Sequence, residues 1–199
     1  SINWEACEDA IKRLGLNRSL WIPKWLAGYA PVEKVMQRYQ FQDHAKCPRC
    51  SEFEDTTHVV RCQAPSALKK WNSSLAKLDE WLRKSSTMPA LRSAIINRLK
   101  AWHQSSATAA PSYSWPGVNK LIHTQTLFGG QAFLEGRGIK EWARKQQEFY
   151  DWLEQKNTEK RWTTTLIKNC GKSPGICGSS AMESSRTRHH PHPSENMQD

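Results

Sequence analysis

The segment that decides the fold is AKCPRCSEFEDTTHVVRC, residues 45–62. It holds three of the chain's six cysteines and one of its seven histidines, spaced Cys47-x2-Cys50-x7-His58-x3-Cys62. Thiolate and imidazole are ligands that Zn²⁺ favours, and it takes four of them in a tetrahedron. The short first gap lets two sulfurs of one turn face a single ion, and His58 and Cys62 project from the same face of a helix. The spacing therefore predicts a zinc site with these four ligands.

The predicted zinc site is structural, because four protein ligands close the coordination sphere. Catalytic zinc usually keeps three protein ligands and leaves a position for water. No Glu stands in an HExxH or HxE context that would supply a general base. We therefore expect structural Zn²⁺ and no enzymatic activity. His44 is an alternative fourth ligand, and Asp55 or Thr56 is expected to cap the helix that presents His58.

Helical periodicity dominates the chain on both sides of this segment, since apolar residues recur every three or four positions. The predicted fold class is mainly α, a helical bundle or set of hairpins around a small zinc knuckle, with a disordered C-terminal tail. Trp71, Trp81 and Trp102 stand at helical spacing, which favours core packing over base stacking. No β-strand is predicted. The predicted division is N-terminal helices 1–41, zinc knuckle 42–64, basic helical hairpin 65–104, linker 105–116, C-terminal helices 117–168 and tail 169–199.

The tail, residues 169–199, is polar, aperiodic and free of Phe, Trp and Tyr, which predicts disorder. Its histidines, His189, His190 and His192, are interpreted as part of this disordered end and not as a metal site. The tail begins abruptly after a helical segment, and the genetic code permits a neighbouring frame with three tryptophans at helical spacing. A frameshift in a decaying gene is therefore a hypothesis for its origin, which the nucleotide sequence would decide.

The net charge of +10 favours an anionic partner, most often nucleic acid, although an ordinary solvated surface would also account for it. No Asp or Glu occurs from residue 81 to residue 134. The knuckle itself, residues 43–62, has four acidic against three basic residues, which argues against a strong grip on phosphate there. His103 and His123 are isolated and are expected to be surface or partly buried structural residues. The candidate nucleic-acid-binding residues are Arg83, Lys84, Arg92, Arg98 and Lys100. The basic residues of the N-terminal helices are the alternative location: Lys12, Arg13, Arg18, Lys24, Lys34 and Arg38.

The wider stretch WLAGYAPVEKVMQRYQFQDHAKCPRCSEFEDTTHVVRC resembles the zinc-binding domain that follows the polymerase domain in reverse transcriptases of retroelements. The resemblance covers about residues 18–66. That family usually has Gly after the second cysteine, whereas this chain has Ser51, which tolerates a positive φ less well. The residues that match the family pattern are Gly28, Pro31, Met36, Arg38, Cys47, Pro48, Cys50, Glu54, His58 and Cys62.

The resemblance implies a C-terminal accessory domain of a retroelement polyprotein with the same four metal ligands. Together with the basic charge, it gives RNA or DNA as the expected partner. No polymerase, ribonuclease H or endonuclease motif is found, so the catalytic activity of such polyproteins is not expected here. The alternative is a structural or protein-interaction helical module that binds no nucleic acid. No transmembrane run or signal peptide is found, so we expect no membrane contact and a nuclear or cytoplasmic location. The start at Ser1 favours a processed product or a fragment.

Overall fold

The described part of the chain is mainly helical, which confirms the predicted fold class. The computed structural model describes residues 1–27, 29–105, 115, 117–129, 132 and 134–170. Most of the predicted linker, and the predicted disordered tail from residue 171 onward, lie outside the described residues. The helices of the described part are α1 (Trp4–Lys12), α2 (Leu16–Leu26), α3 (Glu33–Arg38), α4 (Thr56–Arg61), α5 (Pro65–Lys84), α6 (Pro89–His103), α7 (Val118–Thr126), α8 (Lys140–Trp152) and α9 (Glu159–Cys170).

The main core is built around the antiparallel hairpin of α5 and α6. Each of these two helices begins with a proline, whose missing N–H costs nothing in the first turn of a helix. Trp71 near the start of α5 lies 6.4 Å from Trp102 near the end of α6, measured between ring centroids. Trp71 is buried, and Trp81 and Trp102 pack against the core. The prediction that these three tryptophans belong to the core is therefore confirmed.

A buried glutamine of α8 holds the turn that joins α5 to α6. Ser86 in this turn has a positive φ of 49°, and two backbone groups of the turn, the carbonyl of Ser86 and the N–H of Met88, bond outside α5 and α6. The Gln146 side chain supplies their partners, because Oε1 accepts from the N–H of Met88 (3.0 Å) and Nε2 donates to the carbonyl of Ser86 (3.1 Å). The hydroxyl of Tyr150, one turn further along α8, donates to the carbonyl of Ser85 (2.7 Å). These bonds attach α8 to the hairpin.

A second buried glutamine, Gln125 of α7, plays the same part where the chain enters α8. Its Oε1 accepts from the N–H of Ile139 (3.0 Å) and from the indole Nε1 of Trp142 (3.1 Å). Its Nε2 donates to the carbonyl of Arg137 (3.1 Å). Both glutamines are fully buried, and each satisfies groups that would otherwise be unpaired in the core.

The last helix continues past the end expected from the sequence. We predicted that the C-terminal helices stop at residue 168, whereas α9 runs to Cys170. The reason is packing, because Cys170 lies in the main core. The described residues contain no β-strand beyond the isolated bridge pairs Ile2–Ile139 and Lys46–Phe53. A search of the same residues found no helix with the length and apolar character needed to cross a bilayer.

Candidate metal centre

A tight turn closed by the Lys46–Phe53 bridge, here called the metal hairpin, brings the first two cysteines together. The N–H of Cys47 donates to the carbonyl of Glu52 (2.7 Å), and the N–H of Ser51 donates back to the carbonyl of Cys47 (2.8 Å). Cys50 lies in the turn that these bonds close. The chain therefore reverses within a few residues, as a pair of sulfurs directed at one ion requires.

Helix α4 brings the other two ligands to the metal hairpin. Its N-cap is Asp55, whose side chain accepts from the N–H of His58 at 2.7 Å. This confirms the predicted cap, which fixes the start of a six-residue helix that would be marginal alone. Cys62 follows directly as the C-cap residue, four positions after His58. His58 and Cys62 therefore lie on the side of α4 that meets the metal hairpin.

The four predicted ligands form one compact cluster. Their ligand atoms all lie within 4.8 Å of one another. The Sγ atom of Cys62 is 3.9 Å from that of Cys47 and 3.7 Å from that of Cys50, and Cys50 Sγ is 3.2 Å from His58 Nε2. A tetrahedron with metal–sulfur bonds of about 2.3 Å has edges of about 3.8 Å, which agrees with the two sulfur pairs. Cys47, Cys50, His58 and Cys62 therefore lie close enough to hold a metal ion.

Two neighbouring charged residues, Arg49 and Glu54, tune the cluster. Burial raises the pKa of the Cys47 thiol to about 12, and Glu54 acts in the same direction, whereas the backbone N–H and the side chain of Arg49 oppose the rise. Arg49 also donates to the carbonyl of Val59 in α4 at 3.2 Å. Three thiolates, a neutral imidazole and a divalent ion carry a net negative charge, so Arg49 is placed to balance it.

Glu54 has a structural role that its sequence position does not reveal. It is only 3% exposed, and its Oε1 accepts from the N–H of Glu33 at the start of α3 (3.3 Å). Its carbonyl accepts from the N–H of Lys34 (3.0 Å). A carboxylate at a helix N-terminus is favourable, so Glu54 ties α3 to the metal hairpin.

The alternative ligand, His44, stands outside the cluster. Its side chain is exposed, and its Nδ1 accepts from the N–H of Lys46 at 3.3 Å. The group of metal-ligating atoms found among the described residues contains the four predicted ligands without it. The geometry therefore favours His58 as the fourth ligand.

The metal centre is anchored on the main core through His103. We expected this histidine at the surface or partly buried, and that expectation is wrong, because it is only 2% exposed. Its ring stacks on Trp71 with centroids 4.3 Å apart, and it hydrogen-bonds to the backbone of Val60 in α4. The antiparallel α5–α6 hairpin brings the end of α6 beside the start of α5, which places His103 against α4. His123, in contrast, is exposed.

Replacing His103 with Phe is expected to flatten the pH dependence of stability. Burial first, and the charge of Arg61 second, lower the pKa of His103 below its usual value of about 6.5. The unfolded chain therefore binds this proton at a higher pH than the folded chain, and stability is lost as pH falls below about 6.5. Phe keeps the stack on Trp71 without the titrating group. Urea unfolding at several pH values from 7.5 to about 5.5 tests this, and equal pH dependence in both proteins would contradict it.

The residue that departs from the family pattern occupies a strained backbone position. Ser51 has a φ of +63°, in the left-handed region that favours glycine. Ser51→Gly is expected to raise the free energy of unfolding of the metal-loaded protein by about 1 kcal/mol. Ser51→Ala is the control, because it removes the hydroxyl and keeps the strain. Urea unfolding of the three proteins should rank Ser51→Gly as the most stable, and a destabilised glycine variant would refute the assignment of strain.

The five predicted nucleic-acid-binding residues do not form one uniformly positive surface. Two acidic residues directly precede the acid-free stretch: Asp79 faces Arg92 across the antiparallel α5–α6 hairpin, and Glu80 lies one turn before Lys84 on α5. Arg92 forms two 2.7 Å bonds to Asp79 and lowers the pKa of that carboxyl, and Lys84 pairs with Glu80 at 2.7 Å. The remaining three are Arg98, half-buried and bonded to Thr126 Oγ1 (2.7 Å), and the exposed Arg83 and Lys100.

Comparison of the chain with protein-family models, with curated proteins and with solved structures found no match. The candidate metal centre is therefore supported by the geometry of its four residues alone. The resemblance to the zinc-binding domain of retroelement reverse transcriptases stays a prediction from the matching residues.

Proposed function

We propose that the cluster binds Zn²⁺ and that the ion is structural. The single observation that carries this proposal is the convergence of three sulfurs and one imidazole nitrogen within 4.8 Å. This is a common donor set of structural zinc sites, and soft thiolates select zinc over the harder divalent ions. Four protein ligands leave no position for a reacting water, so the proposed role is a non-catalytic one.

The proposed ion lies where three parts of the chain meet: the metal-binding turn, α4 and the start of α5. Cys47 and Cys50 come from the hairpin, and His58 and Cys62 from α4. The buried part of the cluster packs on Ala64 and Ala67, at the start of α5. Zinc at this place connects the N-terminal helices to the α5–α6 hairpin.

We propose, further, that the chain is an accessory domain of retroelement origin that contacts the phosphate backbone of RNA or DNA. The resemblance over residues 18–66 supports the origin, and the net charge of +10 supports the partner. Among the five predicted residues, Arg83 and Lys100 have exposed side chains that are best placed for phosphate. Lys84 and Arg92 share their charge with Glu80 and Asp79 and contribute less.

Binding of a labelled oligonucleotide is expected to weaken steeply with salt. The slope of log affinity against log salt should become shallower in Arg83→Gln/Lys100→Gln by roughly 0.7 to 0.9 for each lost phosphate contact. Lys12→Gln is the matched control, because Lys12 is an exposed lysine of α1 paired with Glu8. Fluorescence anisotropy over a salt series measures both. Absence of binding to any nucleic acid at low salt would contradict the proposed partner.

The second candidate function is a structural or protein-interaction module. The observation that favours it is an exposed aromatic surface at the end of α8, where Trp152 is mostly exposed and stacks on Phe149 at 5.7 Å. Trp115 meets the same Phe149 edge-on at 6.1 Å. Under this alternative, zinc builds the scaffold and the salt-dependent binding described above is absent.

A further inference from the structure

A further surface, distinct from the one with Arg83 and Lys100, lies beside the metal centre on α3 and the metal hairpin. It combines exposed aromatic rings with exposed cations. Phe53 is 56% exposed, Phe41 66% and Tyr39 52%, which is far more than a packed core allows. Three basic side chains of the same segment are exposed as well. We name these six residues the aromatic–basic surface: Lys34, Arg38, Tyr39, Phe41, Lys46 and Phe53.

Phe53 is the centre of the aromatic–basic surface. The ammonium group of Lys34 lies 5.7 Å from the centroid of the Phe53 ring. Lys46 is the bridge partner of Phe53 across the hairpin, and directly opposed residues project from the same face. Glu52 precedes Phe53 and therefore projects from the other face. One exposed ring is thus accompanied by two ammonium groups.

Helix α3 extends this surface beyond the hairpin. Lys34 and Arg38 are four residues apart on α3, so they lie on one face of the helix. The chain then folds back on α3, since Gln40 has a φ of +60° and Gln42 Nε2 donates to the carbonyl of Glu33 at 3.1 Å. The two aromatic residues of this return segment, Tyr39 and Phe41, therefore lie close to α3.

The acidic residues of the knuckle weaken this surface less than their number suggests. Glu54 is buried as the cap of α3, and Asp55 is engaged as the cap of α4. Asp43 and Glu52 are the acidic residues of the knuckle that remain exposed. The aromatic–basic surface carries three exposed cations, Lys34, Arg38 and Lys46, beside these two exposed carboxylates.

We propose that the aromatic–basic surface binds single-stranded RNA or DNA. Bases stack on the exposed rings of Phe53 and Phe41, and Lys34, Arg38 and Lys46 hold the phosphates. Exposed rings favour a single strand, because the bases of a duplex are already stacked on one another. Exposed aromatic residues and Arg suit either kind of partner, but the two lysines beside Phe53 favour an anionic one, since Lys is depleted in protein–protein interfaces. This inference rests on the proposed nucleic-acid function and adds the strand state and a second location.

The test compares a ring-removing variant with a matched control. Phe41→Leu/Phe53→Leu keeps apolar volume and removes both rings, while Trp152→Leu removes an exposed ring on α8. Affinities for labelled RNA and DNA single strands of about 20 nucleotides, and for the DNA duplex, are measured by fluorescence anisotropy. We expect the double variant to bind single strands about tenfold or more weakly, while Trp152→Leu binds as the wild type does. The wild type should bind the duplex more weakly than either single strand.

The outcomes separate this inference from the proposed function. Full single-strand affinity in the double variant, with loss of binding in Arg83→Gln/Lys100→Gln, would overturn the inference and keep the proposed function. No binding by the wild type to any of the three probes would overturn both. Zinc content and circular dichroism confirm folding of the variants. If the double variant loses zinc, Phe41→Leu alone is tested instead, because Phe41 lies outside the metal hairpin. Unchanged single-strand affinity in Phe41→Leu would then overturn the inference.

Discussion

Cys62→Ala is expected to abolish metal binding and to unfold the segment from about residue 40 to residue 65. Cys62 is fully buried and lies between α4 and α5, so its loss removes a ligand at the junction. Structural zinc binds with an apparent free energy of about 10–16 kcal/mol at pH 7. That is as large as the whole stability of many domains, about 5–15 kcal/mol. We therefore expect loss of helix content and rapid proteolysis within this segment, measured by circular dichroism and by mapping of the cleavage sites.

The matched control for Cys62→Ala is Cys7→Ala. Cys7 is also a buried free thiol, but it packs between α1 and α9 and is not part of the cluster. This variant should keep one metal ion per chain and its helix content. A strong chelator should reproduce the effect of Cys62→Ala in the wild type. Native helix content and stability in Cys62→Ala would refute a structural role for the metal.

Gln146→Leu is expected to destabilise the protein by about 2–4 kcal/mol, although leucine matches glutamine in size. The substitution removes both bonds from Gln146 to the α5–α6 turn and leaves the buried N–H of Met88 and the partly buried carbonyl of Ser86 without these partners. An unpaired buried polar group costs about 1–3 kcal/mol. Urea unfolding of the metal-loaded protein measures the change.

Gln63→Leu is the control for this second prediction. Gln63 is exposed, and its side chain bonds only to the carbonyl of nearby Arg61 (2.6 Å). Its substitution should change stability by less than about 0.5 kcal/mol, as for most surface positions. Equal effects of the two substitutions would show that the buried network is not what fixes the turn.

Local patterns were sufficient to predict the mainly helical fold and the four residues of the Cys/His cluster. The His-x3-Cys spacing places two ligands one helical turn apart wherever such a helix forms, and Asp55 is a standard N-cap residue. The apolar period of α5 and α6 likewise depends only on neighbours along the chain. These features do not require knowledge of the tertiary fold. They were therefore accessible from residues 45–62 and from the adjacent helices alone.

The remaining features depend on residues that are distant in the sequence. Gln146 bonds to a backbone group 58 positions away, and Glu54 caps a helix that begins 21 positions earlier. No short-range pattern marks a glutamine or a glutamate for such a role. The burial of His103 and the pairing of Arg92 with Asp79 follow from how α5 and α6 pack as an antiparallel hairpin, and this packing is visible only in the fold. The exposure of three aromatic rings and three cations beside the metal centre is likewise visible only in the fold.

X-ray absorption at the zinc edge tests the central claim, a closed structural zinc site, most directly. The ligand cluster predicts one zinc ion per chain with three sulfur neighbours at about 2.3 Å and one nitrogen at about 2.0 Å. Cys7→Ala should give the same spectrum as the wild type, and Cys62→Ala should give no bound zinc. An oxygen ligand in the first coordination shell, or a folded chain that binds no zinc, would contradict the account.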